Sequence, residues 1–333
     1  MGEPNDGMRR VAGIDIGGTK ILGRVADPSH PLDALAAARI DTPRGGERIV
    51  AAVADLAAHL ARLAGVESVD AVGVGVAGLV DHAGVLRTAP NLPGVVELEI
   101  RDALAAATGV AVAVENDATC AMVAEHRAGA AVGARHACLV TLGTGIGGGL
   151  VVDGRIVTGA TGLAGEPGHM VVDPTGPPCP CGRRGCWERF ASGSGLGRLA
   201  REAAEAGRAD RAVELAGGEA EAVRGEHLTR AALEGDPDAL EVMRDFAWWV
   251  ALGMANLATL LDTEIIVIGG GLAAAGPILL DPAREAFAGH LLGASHRRPV
   301  SVVLAALGPE AGAIGATFLA ADLIGPDRGR RSS

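Results

Sequence analysis

Two apolar runs, each broken by a glycine loop and resumed at once, constrain this chain more than any other feature. The first is VAGIDIGGTKILGRV at 11–25, and the second is ACLVTLGTGIGGGLVV at 137–152. A strand, a short glycine loop and a second strand make a hairpin. Here the hairpin opens each of two halves that otherwise alternate strands and helices. Neither loop fits the Walker pattern, which ends in GK[ST] and opens a helix. Neither fits the dinucleotide fingerprint, where a helix must follow the glycines. Glycines in such loops allow positive φ and close approach of a ligand to the backbone. Successive N–H groups there form an anion nest, to which the Thr19 and Thr144 hydroxyls can add donors. Asp15, at the end of the first strand, is placed to hold Mg²⁺, which favours carboxylates together with phosphates. The plainer alternative for either loop is a tight turn. Two of them, with VIGGG at 267–271, favour a nucleotide.

Composition narrows the partners. The chain is 49% hydrophobic, enough for a sizeable core. It has no apolar run approaching the roughly 20 residues of a membrane span. Its polar start, MGEPNDGMRR, has no stretch of signal-peptide type. A cytoplasmic protein with no membrane partner is expected. A net charge of −11 disfavours nucleic acid. With no tyrosine and 2% aromatic residues, a polar ligand is expected to be held by hydrogen bonds rather than on an aromatic platform. Lys20 is the only lysine, and it follows Gly17, Gly18 and Thr19 directly.

Hydrophobic periodicity predicts strands at 11–16, 20–25, 71–76, 110–114, 137–142, 150–152, 264–268 and 300–305. It predicts helices at 49–63, 101–108, 119–127 and 310–323, and a stretch dominated by helices over 197–261, with 241–260 the longest. Residues 162–187 read as irregular loop, and 202–226 as a surface helical insertion or a loop with solvated charges. The domains are expected at 1–118 together with about 310–326, and at 119–309. A disordered tail is expected at 327–333.

Asp117 follows a buried strand and is preceded by Glu115 and Asn116. A hydroxyl that accepts a phosphoryl group needs a carboxylate in reach to take its proton. Ligands in α/β sheets bind at strand C-termini. Equally, Asn116 or Asp117 can cap the helix that follows, and the two roles can coexist.

His169, Cys179, Cys181 and Cys186 form H-x9-C-x-C-x4-C. Disulfides are rare in the cytosol, and C-x-C is not the redox spacing C-x-x-C. Three thiolates and one imidazole suit a closed tetrahedral zinc site. Such a site is structural, and its neighbours Glu166 and Glu188 could then be fixed toward a ligand. The alternative for these two acids is a place on a surface loop. Cys120 and Cys138 read as small buried hydrophobes.

These motifs, in the order DIGGTK, VENDA, TLGTGIGGG, GEPGH, CPCGRRGCWE and VIGGG, resemble the ROK family of sugar kinases and sugar-responsive repressors over about 11–323. The resemblance implies an α/β fold of two actin-like, hexokinase-like (ribonuclease H-like) domains with an active-site cleft between them. It implies ATP-dependent phosphorylation of the 6-hydroxyl of glucose, with ATP, Mg²⁺ and structural Zn²⁺ as cofactors and a homodimer or homotetramer as the assembly. By the same resemblance Asp117 is the general base. Gly78, Asn91, Asn116, Asp117, Glu166, His169 and Glu188 bind the sugar. His169, Cys179, Cys181 and Cys186 bind zinc. Asp15, Gly17, Gly18, Thr19, Lys20, Gly143, Thr144, Gly145, Gly269, Gly270 and Gly271 serve the nucleotide. Pro167 stands where many relatives carry phenylalanine, which leaves fine substrate preference open. Another hexose or an N-acetylhexosamine is the near alternative. A sugar-sensing repressor would carry a DNA-binding module ahead of the first loop, and 14 residues precede Asp15 here.

Overall fold

The computed structural model describes residues 9–325. The expected tail at 327–333 and the last residue of the segment expected at about 310–326 lie outside them. The chain divides into two compact units. Within the described residues, unit 1 takes the chain up to Val132, Ile156–Ala164 and everything from Pro309 onward. Unit 2 takes Gly133–Arg155 and Gly165–Gly308.

Unit 1 begins with β1 (Val11–Ile16), β2 (Lys20–Asp27) and β3 (His30–Asp41), followed by α1 (Gly46–Leu63) and β4 (Ala71–Val76). Three short strands come next: β5 (Leu79–Val80), β6 (Leu86–Thr88) and β7 (Val96–Leu98). Then follow α2 (Ile100–Thr108), β8 (Ala111–Asn116) and α3 (Asp117–Ala128). The main sheet has the order β3-β2-β1-β4-β8, with β1 antiparallel to β2 and parallel to β4. On one face α1 buries Ile49, Val53, Leu56 and Leu60 in a core with Ile14, Ile21 and Val74. On the other lies the C-terminal helix, Ala311–Ile324. Gly13 in β1 and Gly73 in β4 let it approach, because a Cβ at Gly13 would collide with Thr317 and one at Gly73 with the Ala316 carbonyl. Glycine weakens a strand interior, and here it admits a helix of small residues instead.

Unit 2 contains β9 (Ala137–Leu142), β10 (Ile146–Val152) and β11 (Arg155–Ile156), where the chain leaves the unit. It continues with α4 (Glu188–Ala191), α5 (Gly193–Glu205), α6 (Asp210–Leu215), α7 (Gly225–Leu233) and α8 (Pro237–Leu261). β12 (Ile265–Gly269), α9 (Pro277–His290) and β13 (Ser301–Leu304) complete it. Its sheet order is β11-β10-β9-β12-β13. β9 is antiparallel to β10 and parallel to β12, so the unit repeats the β2-β1-β4-β8 layout. The long α8 starts cleanly: Asp236 accepts from the Ala239 N–H at 2.8 Å and Pro237 takes the first turn.

Several elements escape the sequence pattern, among them the short strands β5, β6, β7 and β11. β3 is an exposed edge strand with little apolar alternation, and α9 carries Pro282 inside it. The segment 202–226 also differs from expectation. Ala209, Ala212 and Val223 in it are fully buried in the core of unit 2, so it is part of the packed helical layer. Of its charges, Arg211 is paired with Glu214 and Glu234 at 2.7 and 2.8 Å.

Candidate active site

In unit 1 the candidate residues gather at the C-terminal ends of β1, β4 and β8. Asn116 is the last residue of β8 and Asp117 the first of α3. The Asn116 side chain accepts from the N–H groups of Ala118 and Thr119 at 2.9 and 3.1 Å, and its Nδ2 donates to the Gly78 carbonyl at 3.1 Å. The cap is therefore Asn116. Asp117 is spared that duty and accepts from the Ala118 N–H at 2.9 Å. Burial pushes the Asp117 carboxyl above its ordinary range, against hydrogen bonds from the Ala118 N–H and from its own N–H. Burial also raises Asp15, from 3.8 to about 7, and the Asp117 charge adds to it. Glu115 is raised by burial as well. Asp15 Oδ1 is buried with no hydrogen-bond partner among the described residues. A Cβ on Gly312 would lie 2.9 Å from the same carboxylate. An orphaned, crowded carboxylate oxygen is costly unless a proton or a cation meets it, so Asp15 fits a metal-holding role.

The first glycine loop joins β1 to β2. Gly17 N–H donates to the Lys20 carbonyl at 3.0 Å, the Thr42 hydroxyl donates to the Gly17 carbonyl at 2.7 Å, and the Thr42 N–H donates to the Thr19 carbonyl at 3.0 Å. A Cβ on Gly18 would come within 2.9 Å of the Asn91 carbonyl, so the Asn91 segment between β6 and β7 rests directly on this loop. Gly78 is equally confined, with Thr88 O 2.5 Å from where its Cβ would be. Lys20 is exposed and pairs in register with Asp41.

In unit 2 the loop Gly143–Thr144–Gly145 joins β9 to β10. The backbone at neither loop has the positive φ expected from its glycines. The glycines are there for space: a Cβ on Gly145 would lie 2.7 Å from Glu188 Oε2, and one on Gly148 2.5 Å from the Pro167 ring. A Cβ on Gly168 would meet the Ile146 carbonyl. The glycines of β10 thus let the Pro167–His169 turn lie on the strand, with Glu166 at its start. Pro167 is consequently packed onto β10. Gly270 does use a left-handed φ of 82°, and a Cβ on it would lie 2.5 Å from the Leu142 carbonyl oxygen. Gly143, Thr144 and Gly271 line one cavity of about 1070 Å³ with Arg201, Leu272 and Ala275. Gly269 ends β12 just before it.

The cysteines lie in a knuckle closed by bridges between Val171 and Cys186 and between Pro178 and Arg184. The His169, Cys179, Cys181 and Cys186 ligand atoms lie within 4.8 Å of one another, and none of the cysteines is in a disulfide. Cys181 Sγ and Cys186 Sγ are 3.6 Å apart, and Cys179 Sγ is 3.8 Å from His169 Nδ1. A tetrahedron with bonds of about 2.3 Å has edges near 3.8 Å, so this donor set fits zinc in size and in chemistry. Glu188 touches the same cluster: its Oε1 accepts from Cys179 Sγ at 3.0 Å and lies 3.7 Å from His169 Nδ1. Between Cys186 and Glu188 stands Trp187, fully buried, whose Nε1 donates to the Trp249 carbonyl at 2.7 Å. Gly253 of α8 lacks the Cβ that would collide with the Trp187 ring. Trp187, Thr42 and the α5 residue Ser194, whose hydroxyl donates to the Thr144 carbonyl at 2.8 Å, are site supports that the sequence reading missed. No local motif marks them, because each acts through a partner distant in sequence.

The ROK family profile matches residues 11–323. A glucokinase of Streptomyces coelicolor is 38% identical over 316 residues, covering 94% of this chain and 98% of that protein. A glucokinase of Thermotoga maritima is 34% identical, covering 95% and 98%. Among solved structures, a ROK family glucokinase from Streptomyces griseus in complex with glucose and AMPPNP superposes with a TM-score of 0.82. It is 38% identical, with 94% of this chain and 99% of that one covered.

Proposed function

The chain belongs to the ROK family, and on that premise we propose that it is an ATP-dependent glucokinase that phosphorylates the 6-hydroxyl of glucose. The observation that carries the reading of the site is the division of labour at the end of β8. Asn116 caps α3, and the neighbouring Asp117 carboxylate keeps an oxygen for a substrate hydroxyl. Asp117 accepts the hydroxyl proton as the oxygen attacks the γ-phosphorus, and a basicity raised by burial suits that task. Asn116, Gly78, Asn91, Glu166, His169 and Glu188 are the residues we assign to the sugar hydroxyls. His169 presents Nδ1 to the cysteines, so Nε2 is the nitrogen left for a sugar hydroxyl.

The loops at 17–20 and 143–145 take the phosphates, and 269–271 with the adjoining cavity takes the adenosine. Asp15 would hold Mg²⁺, which supplies positive charge against the transferring phosphoryl group. His169, Cys179, Cys181 and Cys186 would hold zinc with all four positions filled, so zinc serves the fold of the knuckle and touches no substrate. N-acetylmannosamine kinases are also among the relatives, one from Salmonella arizonae at 33% identity, but it covers 78% of the chain against 94% for the Streptomyces coelicolor glucokinase. Among the described residues no helix is long and apolar enough to cross a membrane, and we place the enzyme in the cytoplasm. For the assembly we propose a homodimer or homotetramer, which sedimentation would test.

The deciding experiment is a coupled assay with ATP and Mg²⁺ across a panel of hexoses and N-acetylhexosamines. Glucose is expected to have the highest kcat/KM. ATP turnover with none of the sugars, or a clear preference for an N-acetylhexosamine, would overturn the assignment.

A further inference from the structure

Each phosphate hairpin is braced from behind by a hydroxyl residue that nothing in the motifs singles out. In unit 1 it is Thr42, just past β3, with Oγ1 donating to the Gly17 carbonyl at 2.7 Å and N–H donating to the Thr19 carbonyl at 3.0 Å. In unit 2 it is Ser194, in the first turn of α5, with Oγ donating to the Thr144 carbonyl at 2.8 Å. The adjacent Gly193 N–H donates to the Gly143 carbonyl at 2.7 Å.

A trans peptide is planar, with its N–H pointing opposite to its C=O. Holding a carbonyl on one side of a loop therefore aims the next residue's N–H at the other side. The Gly17 carbonyl bound by Thr42 turns the Gly18 N–H outward. The Gly143 and Thr144 carbonyls bound by Gly193 and Ser194 turn out the N–H groups of Thr144 and Gly145. None of these three N–H groups donates to an acceptor among the described residues. Left to themselves, loops of glycine and threonine would sample peptide orientations in which carbonyl oxygens face the same side and repel an anion. The braces remove that choice before any ligand arrives, which is preorganisation of donors toward phosphate.

We propose that Thr42 and Ser194 are positioning residues for phosphate binding, acting through the peptide orientation of the two hairpins. The inference rests on reading these hairpins as phosphate loops. It concerns the peptide oxygens and amides of the two loops. Thr42→Val and Ser194→Ala remove the hydroxyls with little change in volume, whereas Thr42→Ser and Ser194→Thr keep them.

The test is calorimetric binding of Mg·ADP, magnesium pyrophosphate, adenosine and glucose to wild type and the four variants, with steady-state kinetics and thermal melts alongside. Thr42→Val and Ser194→Ala are each expected to weaken Mg·ADP and pyrophosphate by a similar factor of roughly 3 to 10, the net worth of one hydrogen bond. The KM for ATP should rise in step. Glucose affinity should stay within about twofold of wild type in both variants, and adenosine affinity in Thr42→Val, as expected when a mutation is remote from a subsite. Ser194 lines the cavity assigned to adenosine, so for Ser194→Ala glucose is the control. The hydroxyl-retaining variants should recover most of the loss. Unchanged pyrophosphate affinity in both hydroxyl-deleted variants overturns the proposal. So does a uniform loss across all four ligands with a lowered melting point, which marks ordinary destabilisation, and so does a loss that the conservative variants fail to restore. Failure of the underlying reading looks different: wild type itself would not phosphorylate glucose. If wild type bound neither Mg·ADP nor pyrophosphate, both would fall together.

Discussion

β1 and β9 hold the same place in their two units, and their next-to-last residues differ in a telling way. In β9 that residue is Thr141, whose hydroxyl accepts from the Gly147 N–H at 3.2 Å. In β1 it is Asp15, with a buried oxygen that nothing among the described residues satisfies. The strands β8 and β13 diverge likewise. β8 runs into Asn116 and Asp117, while β13 stops at Leu304 and is followed by Ala305. One backbone layout is used twice, but only unit 1 carries acids at its strand ends. Unit 2 instead brings its carboxylate, Glu188, through a knuckle of cysteines and a buried tryptophan. The lesson is that topology makes a place for chemistry at strand ends, and the side chain there decides whether the place is merely filled or left needing a partner.

The sharpest way to break this contrast is to give β8 the ending of β13. Asp117→Ala should lower kcat by about 10²- to 10⁴-fold, the usual worth of a general base, with glucose affinity within a few-fold of wild type. A coupled assay together with direct glucose binding would check it, and undiminished turnover would remove Asp117 from its role. Next in size is Cys181→Ser in unit 2. Zinc content should fall, the melting point should drop, and the glucose KM should rise on the order of tenfold, as when supports around a site are removed. If sugar affinity survives the loss of zinc, Trp187 alone is holding Glu188 in place.

Asp15→Thr copies unit 2 into unit 1 and tests the orphaned carboxylate. Because its carboxyl is raised from 3.8 to about 7 in the folded protein, the folded state holds that proton more tightly than the unfolded chain does. The associated stability is present in full below about pH 4 and is lost as pH rises through about 7. Without Mg²⁺, wild type should therefore lose melting temperature across that window. Asp15→Thr should flatten the profile and melt higher than wild type at pH 8, while losing the stabilisation by Mg·ADP. Equal pH slopes in the two proteins would refute the account. The smallest effect belongs to the cap. Asn116→Ala should cost about 0.5–2 kcal/mol in denaturant melts, and Asn116→Ser should recover most of it, since serine caps nearly as well.

Much of this was legible beforehand because its signals are local. The hairpins announce themselves as apolar runs around glycine, Asp117 as an acid after an apolar strand, and the knuckle as three cysteines in eight positions. Where the reading slipped, the cause was distance along the chain. β3 has almost no apolar alternation, because it is an exposed edge held by its pairing with β2. The hairpin glycines looked like sites of positive φ, yet they leave room for Asn91, Glu188 and Pro167. Residues 202–226 looked solvated, but small alanines in them complete a helical core.

The amino-acid sequence by itself determined the two-part α/β plan, the identity of the acids and the set of four side chains that suit a metal, because spacing and residue type are properties of short segments. Only the tertiary structure decided that Asn116, not Asp117, takes the cap of the helix. It alone set Glu188 against Gly145, and placed Thr42 and Ser194 behind the loops they brace. Those outcomes depend on which distant backbone groups a side chain meets, and that is settled only when the strands and helices have packed.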